Sequence, residues 1–405
     1  MARVVAWLKD DRWWLSLVFL AALALRLFYT TRIMSNPDFL NTGSDGPTYD
    51  ALAWSLVHGG PPSPDVVPWW SSYWFSPGYV RFLALLYWLV GRNYFLVCAV
   101  QSVIGAGACL VLYAVAKRLF DGATARVAAA FAAVNFQLIF AAAAIGHQAL
   151  DLFWTLLVVW GLLRYLDAPQ RRGGGVFLVG LLLGWAAATR EGNFALWFFL
   201  IGFFLAGVRA KMGWTIAVQH LALLSLGFIV MLVPFVWGTG GGLHGRLELQ
   251  WFYYQYTATP INAWFNPWRD PAGAWALFHT QPFVVVKTLA EGVLANFAMI
   301  FLDQAYGAFD PVFLVRWSPA YYAMWMYAYL LAFAGLWLVA REAWRAPVKR
   351  LGWWLLLVVL AARTLPHLFF QATYRHRVPI EPYLILLAAY GLTRLLRDER
   401  PPQIA

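Results

Sequence analysis

The stretch FLVCAVQSVIGAGACLVLYAVA, residues 95–116, decides the fold class of this chain. It carries no charged side chain, and it is longer than the roughly 20 helical residues that cross a hydrocarbon layer of about 30 Å. Similar runs recur along all 405 residues, of which 62% are hydrophobic and 12% charged, with a mean hydropathy of +0.61. Such values lie outside the range of soluble globular domains. The sequence therefore predicts an all-α polytopic integral membrane protein.

The apolar runs predict roughly ten membrane spans, or twelve if two further stretches are counted. The ten are 13–29, 95–116, 125–144, 150–166, 175–189, 193–208, 214–237, 319–340, 352–371 and 379–396. The two further stretches are 79–90 and 283–302, and a span at either would invert everything downstream. We therefore expect re-entrant or interfacial helices there, since the first is short and the second carries Lys287 and Glu291, as an amphipathic helix would.

Basic residues in the short loops set the expected orientation. With a cytoplasmic N-terminus, one side collects Arg3, Lys9, Arg12, Lys117, Arg118, Arg126, Arg164, Arg171, Arg172, Arg209, Lys211, Arg341, Arg345, Lys349, Arg350, Arg394, Arg397 and Arg400. We expect a multi-pass protein of the cell inner or plasma membrane, with both termini cytoplasmic and an uncleaved first span. The net charge of +11 fits this rule together with anionic ligands, so we expect no nucleic-acid partner.

The chain reads as a single domain, 1–405, with two long loops on the outer side. The loops are 31–77 and 238–282, both rich in Trp, Tyr, Pro and Gly. Long loops in a compact protein are usually functional, and we expect these to fold over the outer mouth of the bundle and to include extracytoplasmic juxtamembrane helices. No internal repeat is evident, which speaks against a secondary transporter.

The first loop contains GSDGPTYDALAWSLVHGG, residues 43–60, with two carboxylates in a short polar window. Pro47 suits the first turn of a helix, so Asp45 is expected near its N-cap. Local physics alone favours a capping role for the Asp45 carboxylate. Asp50 lies inside the same helix beside Tyr49, and we interpret it as either a solvated or a packing-supporting residue.

Six motifs follow one another in a fixed order along most of the chain. They are Asp45 with Tyr49, SPGYV (76–80), AKRLFDG (116–122), Asp151 in GHQALDLF (146–153), TREG (189–192) and YRHRVPIEP (374–382). None is specific alone, but in this order they resemble the membrane glycosyltransferases of the GT-C fold. The resemblance is to the branch of protein O-mannosyltransferases and aminoarabinose-type lipid A transferases. Many relatives carry a second acid beside the catalytic Asp, where this chain has Ser44 and Gly46, so the acceptor class stays open.

The resemblance implies a GT-C fold of about ten to twelve transmembrane helices. It also implies inverting transfer of a sugar from a polyprenyl-phosphate donor to a lipid, glycan or protein acceptor at the extracytoplasmic face. Such a transfer needs a base within reach of the acceptor hydroxyl, and Asp45 is the predicted general base. Negative charge grows on the leaving phosphate, so preorganised cations should surround it.

The predicted substrate-binding residues come from the outer ends of several spans and from the motifs. They are Tyr49, Arg81, His147, Asp151, Arg190, Lys287, Tyr374, Arg375 and Arg377. Arg375 and Arg377 could instead be snorkelling side chains at a helix end, and Arg363, inside its span, could pair with an acid.

Asp151 stands where relatives usually have Glu. It could contact a substrate hydroxyl, add a second charge near the base, or cap its helix. His147 and Asp151, spaced i, i+4, could ligate a divalent metal, but two ligands make an incomplete site. Arginine alone can neutralise a monophosphate, so we expect no cofactor.

Two other functions share parts of this pattern. A lipid-linked sugar flippase or transporter would bind the same cargo, but its spans should carry polar residues through the midplane of the membrane. The predicted spans of this chain mostly do not. A polysaccharide polymerase or ligase would share the lipid-phosphate site. The sequence does not indicate the acceptor. We expect the donor and membrane lipids as partners, and we expect the protein to be a monomer.

Overall fold

The computed structural model describes residues 11–43, 45–60, 76–167, 173–236, 270–301, 319–348, 350–369 and 376–398, and within them all regular structure is helical. The α-helices are α1 (Asp11–Ile33), α2 (Gly46–His58), α3 (Pro77–Val90), α4 (Tyr94–Leu119), α5 (Gly122–Val134), α6 (Phe136–Ala143), α7 (Gln148–Asp167), α8 (Gly173–Thr189), α9 (Gly192–Phe203), α10 (Arg209–Met212), α11 (Trp214–Val236), α12 (Pro271–Thr280), α13 (Pro282–Phe301), α14 (Pro319–Arg345), α15 (Leu351–Phe369) and α16 (Glu381–Asp398). A π-helical segment, Phe204–Val208, joins α9 to α10.

Six helices of the described residues are long and apolar enough to cross a membrane. They are α1, α4, α7, the α9–α10 unit, α11 and α15, and the bent pair α5 and α6 makes a seventh if it counts as one span. The helices α3 and α8 are apolar but shorter. The prediction of an all-α polytopic membrane protein is confirmed. Of the two long loops, the first contains α2 and the second contains α12, while residues 61–75 and 237–269 lie outside the described residues.

The predicted span at 125–144 is two helices in the structure, α5 and α6, bent by 52°, so it stays a prediction that this segment crosses the membrane as one broken span. The break falls at Asn135, whose backbone is extended and whose side-chain oxygen accepts a hydrogen bond from the N–H of Leu138 at 3.0 Å. Asparagine is a favoured N-cap because this bond satisfies a backbone donor at the start of a helix. By composition this segment is an unbroken apolar run, but the capping residue Asn135 divides it into two helices.

Arg26 supports the same break from the middle of α1, where it is fully buried. Its guanidinium donates from Nη1 to the carbonyl of Ala133 and from Nη2 to the carbonyl of Ala132, both at 3.3 Å. These carbonyls belong to the last turn of α5, where the break leaves acceptors without helical partners. A cation at this point also faces the negative end of the α5 dipole. Arg26 therefore stabilises the interrupted helix.

The contacts between helix ends bring the predicted basic clusters together. Asp11, at the start of α1, forms ion pairs with Lys117 on α4 and Arg126 on α5. The indole N–H of Trp353, at the start of α15, donates to the carbonyl of Leu119 at 2.9 Å. Further bridges join Arg118 to Asp167 and Thr124 to Thr393. These residues define one end of the bundle, here called the basic end.

Glycines allow two helix pairs to approach closely. A Cβ atom at Gly180 of α8 would lie 2.2 Å from the carbonyl oxygen of Leu224 on α11, and one at Gly227 would lie 2.3 Å from that of Phe177. Gly335 of α14 meets the backbone of α16 in the same way. Small residues at such crossings bring backbones into van der Waals contact, which drives association where no hydrophobic effect acts between helices.

We predict that Arg26→Met destabilises the protein by about 2 kcal/mol or more, because two buried carbonyls then lose their donors. The measurement is thermal unfolding of the purified chain in detergent. Arg394→Gln, at an exposed arginine on α16, is the matched control and should change little. Equal unfolding temperatures for the Arg26 variant and the wild type would show that the break does not depend on the guanidinium.

Candidate functional site

Asp45 lies immediately before α2, at the predicted N-cap position, and is partly buried. The N–H of Tyr49 donates to the backbone carbonyl of Asp45 at 3.0 Å, as at the start of any helix. The Asp45 side chain, however, makes no capping hydrogen bond. The predicted position is confirmed, whereas the capping role that local physics favoured is not observed.

Asp50 is buried, so its interpretation as a solvated residue is wrong and the packing role is confirmed. Its carboxylate accepts hydrogen bonds from the Tyr87 hydroxyl at 2.8 Å, from Nε of Arg92 at 2.9 Å and from the Tyr94 hydroxyl at 3.2 Å. The hydrogen bond to Asp50 raises the pKa of Arg92 above its ordinary value. This network ties α2 to α3 and α4, and thereby holds the segment that carries Asp45.

The start of α2 lies against the segment between α6 and α7. A Cβ at Gly46 would be 3.4 Å from the carbonyl oxygen of Ile145 and would clash with that of Leu40 at 2.2 Å. The Tyr49 ring lies edge-on to His147, with 5.9 Å between ring centroids. Asp45 is therefore held beside the amino end of α7, although the two lie about a hundred residues apart in the chain.

The non-helical segment before α7 is held by buried side chains. Nε2 of Gln101 donates to the carbonyls of Ala142 at 3.1 Å and Ala144 at 2.8 Å. The Tyr79 hydroxyl, from the SPGYV motif, donates to Oε1 of Gln101 at 2.8 Å. Irregular backbone at membrane depth is tolerated only when such partners satisfy it. The SPGYV motif thus helps to hold in place the backbone segment against which the first loop packs.

Asp151, in the first turn of α7, is completely buried and is the centre of a polar cluster. Its carboxylate forms a close ion pair with Arg363 of α15 and lies 3.8 Å from Nη1 of Arg190. Nδ2 of Asn193 donates to Asp151 Oδ1 at 2.8 Å, and Oδ1 of Asn193 accepts from Nη1 of Arg363 at 2.8 Å. The hypothesis that Arg363 pairs with an acid is confirmed.

The two arginines of this cluster are engaged unequally. Arg363 is paired closely with Asp151 and also bonded to Asn193, whereas Nη1 of Arg190 is buried and has no hydrogen-bond partner among the described residues. Two guanidinium groups thus face one buried carboxylate, and the neighbouring Glu191 is partly exposed to solvent. The carboxylate of Glu191, next to Arg190 in the chain, also acts electrostatically on that guanidinium.

Further polar groups surround the same point. A Cβ at Gly192 would lie 3.4 Å from Nη1 of Arg363 and 4.0 Å from both Nε of Arg190 and Nε2 of His367. The His367 ring lies against His376, with 4.1 Å between centroids. Four separate chain segments therefore meet here, from α7, the α8–α9 turn, α15 and the segment that precedes α16.

Arg377 lies in a second network, at the α5–α6 break. Nε of Arg377 donates to Gln137 Oε1 at 3.3 Å and lies 3.8 Å from the carboxylate of Glu381. Glu381 also accepts hydrogen bonds from Asn135 at 2.9 Å and from the Tyr329 hydroxyl at 3.1 Å. The charge of Arg377 is thus balanced inside the protein, and its predicted contact with substrate stays a prediction.

The remaining predicted cations are placed outside the Asp151 cluster. Arg81 donates to the carbonyl of Pro234 at 3.3 Å and lies over the Phe235 ring, joining α3 to the end of α11. Lys287 is exposed on α13 and lies 3.8 Å from Glu291, the i, i+4 pair of an amphipathic helix. Tyr374 and Arg375 lie outside the described residues.

Several residues of the site were not predicted from the sequence. Asn193 and Glu381 each begin an apolar helix and looked like ordinary terminal residues, and Asn135 lies inside an apolar run. Their shared sequence signal is a polar side chain next to a long apolar segment, which is a functional hypothesis by default in a membrane protein. Glu381 also lies within the motif YRHRVPIEP.

A metal bound by His147 and Asp151 stays a prediction. The Asp151 carboxylate already accepts from Arg363 and Asn193, and a divalent cation would meet two guanidinium groups there. Among the described residues, no three His, Cys, Asp or Glu side chains come together as a metal site.

The overall architecture is that of the GT-C fold of membrane glycosyltransferases. The apo oligosaccharyltransferase of Archaeoglobus fulgidus superimposes with a TM-score of 0.59 at 14% identity, over 96% of this chain and 51% of that chain. The same organism's oligosaccharyltransferase AglB, in complex with an inhibitory peptide and a dolichol-phosphate, gives 0.56 at 15% identity, over 97% and 51%. A form with Zn and sulfate gives 0.54 at 13%, over 95% and 49%. This chain spans about half the length of those chains.

Residues 76–237 match the family model described as dolichyl-phosphate-mannose-protein mannosyltransferase. No curated protein matches the chain in sequence. The matched residues include SPGYV, AKRLFDG, Asp151 and TREG, four of the six motifs. The resemblance inferred from the sequence is confirmed, for the fold by the solved structures and for this segment by the family model.

We predict that Asp151→Asn and Arg363→Gln each destabilise the protein by about 3–5 kcal/mol, because each breaks the close buried ion pair by removing one partner. The double variant Asp151→Asn/Arg363→Gln should lose less than the sum of the two, which a double-mutant cycle of unfolding free energies measures. Strict additivity would contradict a direct ion pair. The exposed pair Lys287 and Glu291 provides the control cycle, with coupling below about 1 kcal/mol.

Proposed function

We propose that this protein is an inverting glycosyltransferase that moves a sugar from a polyprenyl-phosphate donor to an acceptor at the extracytoplasmic membrane face. The observation that carries the proposal is the buried cluster in which Arg190 and Arg363 share the single carboxylate of Asp151. This cluster lies at the amino end of α7, beside the segment that carries Asp45, while the carboxyl end of α7 belongs to the basic end. Base and anion site therefore share one end of the bundle.

The reaction follows from these two parts. The acceptor hydroxyl oxygen attacks the anomeric carbon, the bond from that carbon to the phosphate oxygen breaks, and the carrier leaves as polyprenyl phosphate. The hydroxyl proton passes to the carboxylate of Asp45, which acts as general base. Attack from the face opposite the leaving group inverts the anomeric carbon. Asp45 suits this role because it lies immediately before α2, beside the amino end of α7, and is partly exposed.

Arg190 is the proposed ligand of the carrier phosphate. Arg363 is paired with Asp151 and hydrogen-bonded to Asn193, so its charge is balanced within the protein. Nη1 of Arg190, by contrast, has no hydrogen-bond partner among the described residues and approaches Asp151 only to 3.8 Å. A guanidinium that is held in place without being saturated is preorganised for a phosphate oxygen. Arg81, Lys287, Arg375 and Arg377 remain further candidates for the donor, with Tyr49, His147 and Tyr374 as proposed substrate contacts.

The comparisons support the class of donor. One AglB structure contains a dolichol-phosphate, and the family model that matches residues 76–237 is named after a dolichyl-phosphate-linked sugar. Because this chain covers only about half of AglB, the donor and the acceptor are proposals for this protein. We further propose a monomer in the inner or plasma membrane, with the basic end and both termini cytoplasmic.

We predict that Asp45→Asn lowers the rate of sugar transfer by about 10²–10⁴-fold, the usual contribution of a general base. Transfer from a polyprenyl-phosphate sugar to a supplied acceptor is followed in proteoliposomes, and donor binding is measured separately. Binding should persist, because the amide keeps the shape of the carboxylate. Full transfer by a folded Asp45→Asn protein would remove Asp45 from the mechanism.

We predict that Arg190→Gln weakens binding of the polyprenyl-phosphate sugar by at least about tenfold, since a charged hydrogen bond to phosphate is worth roughly 1.5–3 kcal/mol. Arg394→Gln, at the basic end, is the matched control and should bind the donor normally. Unchanged donor affinity in a folded Arg190→Gln protein would place the phosphate elsewhere.

The same proteoliposomes separate the enzyme from the alternative of a lipid-linked sugar flippase. A flippase would move labelled donor between leaflets whether or not Asp45 is present. We expect no such movement by the Asp45→Asn variant, so transport without transfer would favour the flippase.

A further inference from the structure

One position in the Asp151 cluster has room for a further atom because Gly192 has no side chain. Gly192 is the last residue of the TREG motif and the first of α9, and it is partly exposed. The three atoms nearest to a Cβ built there, outside its own helix and chain neighbours, are Nη1 of Arg363 at 3.4 Å and, both at 4.0 Å, Nε of Arg190 and Nε2 of His367. All three are nitrogen atoms of basic side chains.

The backbone does not require glycine at this position. The φ angle of Gly192 lies outside the left-handed region, so other residues can adopt its conformation. A methyl group there would make only ordinary van der Waals contacts with its neighbours. Glycine in a helix costs about 0.5–1 kcal/mol relative to alanine. What glycine contributes here is therefore space next to the three nitrogen atoms.

The electrostatics of this position suit an oxyanion. It lies at the amino end of α9, where the helix dipole favours negative charge. Two acids act on Arg190, namely Asp151 and Glu191. Asp151 already accepts from Arg363 and Asn193, and Glu191 is partly exposed. An oxygen atom at Gly192 would meet hydrogen-bond donors from two guanidinium groups.

His367 is held in place for the same contact. It follows Arg363 by four residues on α15, so the two side chains share one face of that helix. The His367 ring packs against His376, with 4.1 Å between centroids. This packing uses the face of the ring, whereas Nε2 lies at its edge near Gly192. Protonated at Nε2, His367 is a third donor toward the open position.

We infer that the position at Gly192 is an oxyanion subsite for the phosphate of the polyprenyl-phosphate donor, bound by Arg190, Arg363 and His367. The inference rests on the proposed function, and it adds His367 as a phosphate ligand and Gly192 as the residue that lets the phosphate enter. When the bond from the anomeric carbon to the phosphate oxygen breaks, that oxygen keeps the electron pair. The three N–H groups stabilise the negative charge that develops on the phosphate.

The role of Gly192 is tested by Gly192→Ala in the full chain in nanodiscs, with binding of polyprenyl phosphate and of the uncharged polyprenol measured side by side. The methyl group displaces the phosphate oxygen but leaves every charge in place. We expect affinity for polyprenyl phosphate to fall by about tenfold or more, the worth of one charged hydrogen bond, and affinity for polyprenol to stay unchanged. Gly202→Ala, on the same helix, is the matched control, because its methyl group meets no atom within 4 Å and should change neither affinity.

The role of His367 is tested by His367→Phe, which keeps a ring against His376 and removes the nitrogen donor. We expect the same selective loss of affinity for polyprenyl phosphate, and a lower rate of sugar transfer at saturating donor. His279→Phe is the control, because His279 also packs against a ring, that of Trp275 at 4.4 Å, but lies on α12. It should bind both lipids as the wild type does.

Three results would overturn the inference. The first is normal affinity for polyprenyl phosphate in either Gly192→Ala or His367→Phe, and the second is an equal loss of affinity for polyprenol, which indicates a structural role. The third is a lower unfolding temperature of Gly192→Ala with unchanged affinity, which would assign the position to an internal contact. If Arg190→Gln loses affinity for polyprenyl phosphate while these two variants keep it, the subsite is wrong and the proposed function stands. Equal affinity of the wild type for both lipids would overturn the two together.

Discussion

Inside a membrane every polar backbone group needs a partner from the protein itself, and the structure of this chain is organised around one place where a helix breaks that rule. The interruption between α5 and α6 leaves carbonyls without helical donors. Arg26 donates hydrogen bonds to two of these carbonyls, and Asn135 caps α6, the helix that follows. Asn135 also bonds to Glu381, so the last helix is attached at the same point. Without these partners the irregular backbone could not lie in the bundle.

The break has a direct consequence for the candidate site. It allows the chain to turn after α6 and to begin α7 at the end of the bundle where the first loop lies, with the turn held by Gln101. Asp151 therefore enters a buried position where it meets Arg190 and Arg363. A carboxylate that binds one arginine closely and the other loosely keeps both in place and leaves one available. This unequal sharing, rather than the number of cations, is the basis for proposing that the cluster binds a lipid phosphate.

Much of the fold could be predicted from the sequence because hydropathy and helix length are local properties. The apolar runs predicted helices close to their observed bounds. The basic loops predicted which helix ends lie on the same side, and the contacts of Asp11 show that some of these ends meet. The motif order gave the fold family. The bend within the predicted span at 125–144 is not visible in the sequence, because it falls at a single residue, Asn135, whose effect depends on partners from distant helices.

The sequence by itself determined that this is a helical membrane protein with a polar first loop, because those features depend on composition along a short stretch of chain. Only the tertiary structure decided what each charge does. Asp50 is a buried anchor, Arg363 is a counter-ion, and Arg377 is balanced by Glu381, while Arg190 keeps an unpartnered nitrogen among the described residues. The reason is physical: the role of a charge in a medium of low dielectric constant is set by its nearest neighbours, and those come from remote parts of the chain.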